Sequence, residues 1–301
     1  MKTRILTGAV LVVLLVGTFL LAETFVLPLV CAVLAMAAVF ELAGVFSIRK
    51  NAALLIPCAL FAFLLTGLTH LTNADAFLLL PARLAISPLA YFGVLALGVL
   101  ALMFYIFTYG VLTGGRVRFS DTLAYTLMVL YATVGFASLS MLVRMGSVYL
   151  AILVFIGSWI SDTFAYFTGR FFGRHKLSPT VSPKKTVEGS IGGIVFAALF
   201  ALAFGLVLEA LEAVSSVNIV LLLIAGAVLS VASQIGDLTA SLLKREYGIK
   251  DYGHIFPGHG GVLDRFDSVV ALAPLLLALA LAVTAFSGGE LSLLGDALRL
   301  F

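Results

Sequence analysis

The sequence predicts an all-α, polytopic integral membrane protein with about nine spanning helices. Three observations predict it. Hydrophobic residues make up 62% of the 301 positions. Asp, Glu, Lys and Arg together make up only 11%, where a soluble domain carries roughly 25%. The apolar residues also gather into runs of about 20, the length a helix needs to cross the hydrocarbon core while satisfying its own backbone. A water-soluble enzyme and a disordered chain are both excluded, because so few charges cannot clothe either. The formal charge of +3 is too small for a surface that coats nucleic acid.

The runs fall at 5–22, 24–46, 52–72, 87–110, 121–143, 147–169, 190–210, 217–243 and 268–287. The first, behind Met1-Lys2-Thr3-Arg4, has the outline of a signal peptide but lacks a clear small-x-small cleavage site, so it is read as a retained helix. With the N-terminus cytoplasmic, all but Arg83, Arg144 and Arg299 of the 18 Lys and Arg fall on the cytoplasmic side. That bias places the C-terminus outside. Cys31 and Cys58 each lie within an apolar run and read as small buried hydrophobes.

Polarity divides the chain near residue 145. Residues 1–145 hold about five spans and few polar groups. Glu41 is the lone acid inside one of those runs, four residues before the apolar stretch ends, where interfacial water is expected to solvate it. Residues 146–301 form the expected catalytic region, with two polar cytoplasmic loops at 170–189 and 244–267.

The first polar cluster starts within a span. Ser158, Asp162, Tyr166 and Arg170 recur every four residues and so share a helix face. A carboxylate at the depth of Asp162 needs a cation, water or another partner. Downstream, Ser182-Pro183-Lys184-Lys185-Thr186-Val187-Glu188-Gly189 sets bases, hydroxyls and glycine just before a helix. Such a start suits phosphate, although a basic juxtamembrane loop also suits lipid headgroups.

The second cluster is denser. Gln234, Asp237, Ser241 and Lys244 step by 3, 4 and 3 along one helix face, with Arg245 alongside. Lys250, Asp251, His254, His259, Gly260, Gly261, Asp264, Arg265 and Asp267 follow within a short stretch. Asp237 and Asp264 fit a hard cation such as Mg²⁺, which takes few protein carboxylates and leaves room for water and substrate phosphate. His254 and His259 have no zinc-ligand spacing, and no Cys lies near them. His259, between glycines, is read as a phosphate donor or a loop-ordering residue. No GxxxxGK[ST] loop occurs, which excludes a P-loop NTPase.

The run from Ser241 through Lys244-Arg245, Lys250-Asp251, Pro257-Gly258-His259-Gly260-Gly261 and Asp264-Arg265 to Asp267 resembles the signature of phosphatidate cytidylyltransferases, the CDP-diacylglycerol synthases, without departure. Asp162 to Tyr166, Gly169-Arg170, Ser182 to Gly189 and Gln234 to Leu238 are similar to the same family. Arg174 stands where Lys is common. The resemblance covers about residues 158–268; the N-terminal half shares only its hydrophobicity.

The resemblance implies that CTP and phosphatidic acid react to give CDP-diacylglycerol and pyrophosphate at the cytoplasmic face of a bacterial inner membrane. It implies Mg²⁺ held by Asp237 and Asp264, with room for a second, monovalent cation, and a homodimer among membrane lipids. The catalytic set expected is Asp162, Asp237, Lys244, Arg245 and Asp264. The substrate-binding set is Ser182, Lys184, Lys185, Thr186, Glu188, Ser241, Lys250, His259, Gly260, Gly261 and Arg265. Two rivals remain: a CTP-dependent lipid-alcohol kinase that transfers the γ-phosphate, and an ion-coupled transporter, since intramembrane acids mark ion paths.

Overall fold

Leu, Ala, Val and Phe runs with few helix breakers wind into ten α-helices in a computed structural model, which describes residues 2–72, 86–114, 117–145 and 148–286. In chain order these are α1 (Lys2–Leu20), α2 (Val26–Val45), α3 (Ala52–Gly67), α4 (Pro88–Leu112), α5 (Phe119–Met145), α6 (Val148–Phe155), α7 (Ser161–Phe172), α8 (Val187–Ala210), α9 (Ile219–Glu246) and α10 (Leu263–Phe286). Among the described residues, eight helical segments are long and apolar enough to cross a membrane. The apolar part of α1, Leu6–Leu20, is shorter. The chain is thus an all-α polytopic membrane protein, and seven of the eight segments start within three residues of an expected run. The eighth starts earlier, at Leu263 rather than 268, because the polar Asp264 and Asp267 fall inside the first turns of α10. Arg83, Arg116, Arg299 and the end of the last expected run lie outside the described residues.

Two features depart from the run-by-run reading. The expected loop at 170–189 contains a small antiparallel hairpin of β1 (Lys176–Ser178) and β2 (Ser182–Thr186), registered Lys176 to Thr186 and Ser178 to Ser182. Arg144, expected in a connection, lies in the last turn of α5 and is buried.

The chain divides into two compact units, Met1–Ser140 with Tyr247–Phe266, and Met141–Glu246 with Asp267–Phe301. In the first unit, α2 packs against α3, and both helices bury small side chains, among them Ala35, Ala38, Ala59 and Ala62, with Cys31 and Cys58 buried as free thiols. The polar stretch after α9 belongs to this unit. Tyr247 meets Phe46 edge-on at 4.8 Å and donates to Asp121 Oδ1 at 3.3 Å; Phe266 meets Phe136 at 5.8 Å. Glu41 is not solvated at an interface: it is 2% exposed, with its carboxylate directed at backbone N–H groups of that stretch.

Helix α3 contains Pro57, which has no N–H to give the carbonyl of Ala53 four residues earlier. In lipid such a carbonyl cannot turn to water. Tyr105 of α4 donates its hydroxyl to Ala53 O at 2.6 Å, replacing the missing donor. Tyr91 does the same for Leu65 O at 3.1 Å, and Asn51 Nδ2 donates to Tyr109 Oη at 2.6 Å. Tyrosines of α4 thereby stitch it to α3.

In the second unit, α8 lies between α7 and α9. Gly226 of α9 abuts α8 so closely that a Cβ there would lie 2.7 Å from Ala198 Cα and 2.8 Å from Ala197 O. Phe164 stacks on Phe196 at 4.0 Å, and the buried hydroxyls of Ser161 and Ser230 bond at 2.7 Å.

The proline explanation makes a conditional prediction. Tyr105→Phe should lower the stability of the detergent-solubilised protein by about 1 kcal/mol, the scale of an interhelical hydrogen bond. In a Pro57→Ala background, where Ala53 O regains its own helical donor, the same change should be nearly silent. An equal loss in both backgrounds, measured by thermal or denaturant unfolding, would refute the compensation.

Candidate active site

Helix α7 is preceded by a π-helical turn, Ile156–Ile160. A turn closed by i→i+5 bonds breaks the 3.6-residue phase. Ser158 therefore does not continue the face of Asp162, Tyr166 and Arg170; it is buried within the π turn. Beyond it the phase is regular. Asp162, Tyr166 and Arg170 all line one cavity of about 660 Å³, and Arg170 Nη1 donates to Tyr166 Oη at 2.9 Å.

Three further elements of the same unit complete the lining. Strand β2 contributes Ser182, Lys184, Lys185 and Thr186; α8 contributes Gly189 and Ser190; α9 contributes Gln234 and Asp237. The Lys185 ammonium pairs with the Asp237 carboxylate. Ser190 donates to Gln234 Oε1 at 2.5 Å, and Gln234 Nε2 donates to Ser190 O at 3.2 Å, fixing α8 against α9 beside the cavity. Thr186 closes the strand and caps the helix: its Oγ1 accepts from Gly189 N at 3.1 Å. Three cationic side chains and two carboxylates thus meet in one polar space walled by apolar helices.

Of the residues expected from sequence, the cavity gathers Asp162, Ser182, Lys184, Lys185, Thr186 and Asp237. Glu188 is not in its lining. Its carboxylate accepts from Arg174 N at 3.0 Å and His175 N at 3.2 Å, and meets His175 Nδ1 at 2.6 Å, tying the α7–β1 connection to the start of α8. Ser241, Lys244 and Arg245 continue α9 past Asp237 and are also outside the lining.

Lys250, His259, Gly260, Gly261, Asp264 and Arg265 belong to the first unit. There Asp264 Oδ2 accepts from Tyr252 N at 2.8 Å and Gly261 N at 2.9 Å. Arg265 Nε donates to His259 O at 2.6 Å, and His259 N donates to Phe256 O at 2.8 Å across a tight turn in which Gly260 has φ +87°.

Tyr166, Arg170, Ser190 and Gln234 line the cavity without having been placed among the expected site residues. The signal for the first two is their four-residue spacing from Asp162. For Gln234 it is the spacing of three from Asp237. Ser190 carries no pattern of its own; only its place four residues after the Thr186 cap marks it.

The donor chemistry suits a hard divalent cation. Among the described residues no three His, Cys, Asp or Glu side chains gather to hold an ion by themselves. A cation here would draw the rest of its oxygen shell from substrate and water, which is how Mg²⁺ is bound in phosphate chemistry. Asp237, in a cavity lined also by ammonium, guanidinium and hydroxyl groups, is a fitting carboxylate for that arrangement.

Comparison with known proteins agrees with this chemistry. The chain is 41% identical over 179 residues to a phosphatidate cytidylyltransferase of Staphylococcus epidermidis, covering 60% of this chain and 66% of that protein. It is 38% identical over 177 residues to proteins of the same name from Staphylococcus haemolyticus and Staphylococcus aureus, covering 59% of this chain and 66% of each. The matched segment is thus just under two thirds of the relatives' own length. The profile described as the cytidylyltransferase family extends much further, over residues 2–283, and with nearly the whole chain matched the protein belongs to that family.

Proposed function

We propose that the protein is a phosphatidate cytidylyltransferase of a bacterial cytoplasmic membrane, converting CTP and phosphatidate into CDP-diacylglycerol and pyrophosphate. The observation that carries this reading is the Lys185–Asp237 pair inside a cavity that also holds Lys184, Arg170 and the hydroxyls of Ser182, Thr186 and Ser190. Family membership and the names of the staphylococcal relatives support it.

A phosphate oxygen of phosphatidate attacks the α-phosphorus of CTP. The bond from that phosphorus to the oxygen bridging the β-phosphorus breaks, and pyrophosphate leaves with that oxygen. The attacking oxygen is already anionic near neutral pH, so no side chain has to remove a proton from it. The obstacle is repulsion between two anions, and it is lowered by fixed positive charge and hydrogen-bond donors aimed at the phosphates. Lys184 and Lys185 supply charge from β2, Lys244 and Arg245 from the last turn of α9, and Lys250, His259 and Arg265 from the stretch that follows α9 in the chain. Ser182, Thr186 and Ser241 supply hydroxyls, and Asp162 orients a ligand of the site.

Asp237 and Asp264 would hold Mg²⁺, which when bound neutralises phosphate charge and makes the α-phosphorus more electrophilic. The Lys185–Asp237 pair joins two side chains at a cavity wall, so each partner is exchangeable. Lys185 can leave Asp237 for a phosphate once Asp237 has another cation to face. Phosphatidate reaches the site from the surrounding lipid with its acyl chains left there, and the working assembly is a homodimer.

Three outcomes test this. With purified protein, CTP labelled at the α-phosphorus should pass its label to the lipid; label entering from the γ-position would instead identify a CTP-dependent lipid-alcohol kinase. Asp237→Asn and Asp264→Asn should each lower kcat by at least ~100-fold while eluting as folded protein on size exclusion. Turnover close to wild type in either variant would remove that carboxylate from the metal role. Lys185→Met should lower kcat/KM for CTP by about 10²-fold, as loss of a group aligned to the transition state does; an unchanged value would leave Lys185 as a mere partner of Asp237.

A further inference from the structure

Among the described residues, Glu41 is the most deeply placed carboxylate of the first unit, 2% exposed on α2 and one turn short of that helix's end. A buried carboxylate is costly unless its charge is met by donors. Here both oxygens are met. Oε1 accepts from Val262 N at 2.7 Å and Oε2 from Leu263 N at 2.9 Å, across more than 220 residues of chain. These amides open α10, where the helix dipole favours an anion. A side chain from α2 therefore does for α10 what a local cap does for other helices.

The surrounding stretch is shaped around this carboxylate. A Cβ on Gly253 would lie 2.5 Å from Glu41 Oε1, and one on Gly261 would overlap the same group. Asp264 accepts from the same stretch, through Tyr252 N and Gly261 N. Gly261, Val262 and Leu263 thus give three consecutive N–H groups to two carboxylates, Asp264 taking the first and Glu41 the next two. The backbone leading into Asp264 is held at these three amides, and Glu41 holds the two nearest Asp264 in the chain.

We propose that Glu41 is a positioning residue for Asp264: it fixes the 261–263 backbone and with it the direction of the Asp264 carboxylate. The proposal rests on the cytidylyltransferase reading for what Asp264 then does. With both oxygens engaged by backbone and almost no exposure, Glu41 touches no substrate. Gln cannot replace it, because a side-chain amide would set its NH₂ against one of the two N–H donors.

The test compares full-length wild type with Glu41→Gln in detergent. Hydrogen exchange, read without metal or nucleotide, should accelerate at least ~10-fold in peptides covering 252–264, with exchange elsewhere unchanged. In assays with CTP and phosphatidate, kcat should fall and the Mg²⁺ concentration giving half-maximal rate should rise about 10-fold, the effect of losing a group that orients a metal ligand. KM for phosphatidate should stay near the wild-type value. If Glu41→Gln does not fold, Gly253→Ala, whose methyl group intrudes on the same carboxylate, should show the same local exchange and the same Mg²⁺ shift.

Wild-type exchange over 252–264 in the variant that folds would overturn the anchoring. Faster exchange with unchanged kcat and Mg²⁺ dependence would overturn the link to Asp264. Absence of cytidylyl transfer by the wild type would count against the proposed activity alone, since the exchange comparison reads the anchoring without it.

Discussion

A carboxylate carried into a helical membrane protein must be matched by donors, and much of this structure follows from how that requirement is met. Glu41 is met by two backbone N–H groups, Asp264 by two more, and Glu188 by two amides and an imidazole. Asp237 is met differently, by the ammonium of Lys185. Backbone donors are fixed by the fold and cannot be withdrawn without unmaking a turn or a helix end. An ammonium on a four-carbon stem can be. The manner of neutralisation therefore separates carboxylates that hold the backbone from one that can change partners. Asp264 belongs with those that hold the backbone: its Oδ2 accepts from two backbone N–H groups, which fixes where the group points.

The same logic extends to uncharged groups. Pro57 leaves Ala53 O without its helical donor, and Tyr105 supplies one. Gln234 and Ser190 satisfy one another between α9 and α8, and Ser161 and Ser230 do so between α7 and α9. Each pair removes a polar penalty and fixes one helix against its neighbour at a defined height. Two of these pairs lie in the unit that holds the cavity. The lining there rests on matched polar groups as well as on close contacts such as Gly226 against Ala197 and Ala198.

The spans were legible because a 20-residue apolar run has few other uses in a chain this poor in charge. The lining was legible where one periodicity governs it: Asp162, Tyr166 and Arg170 keep helical phase and share the cavity. Ser158 fits the same count on paper, yet the π turn shifts it out of phase, and nothing in Ile156-Gly157-Ser158-Trp159-Ile160 announces an i→i+5 turn. The hairpin was hidden because its strands are three and five residues long and polar. Glu41 was hidden for a deeper reason. Its partners are backbone amides more than 220 positions away, and an amide has no side-chain identity to read. Only the glycines at 253 and 261 hint that something must approach them.

Glu188 shows how local chemistry sets the field of the cavity. The first turn of α8 presents the positive end of a helix dipole, roughly half an elementary charge, next to Lys184 and Lys185. An acid in that turn could cancel much of this. Glu188 is the acid of that turn, but its carboxylate is tied to His175 and to the amides of residues 174 and 175, and it is absent from the cavity lining. Thr186 takes the Gly189 N–H with a neutral hydroxyl, so the cap adds no negative charge. The sequence Lys184-Lys185-Thr186-Val187-Glu188 therefore sorts its charges by destination, with cations and a neutral cap toward the cavity and the anion toward the α7–β1 connection. A loop with the same composition but with its acid at the capping position would close the helix equally well and would place a full negative charge beside Lys184 and Lys185 at the cavity.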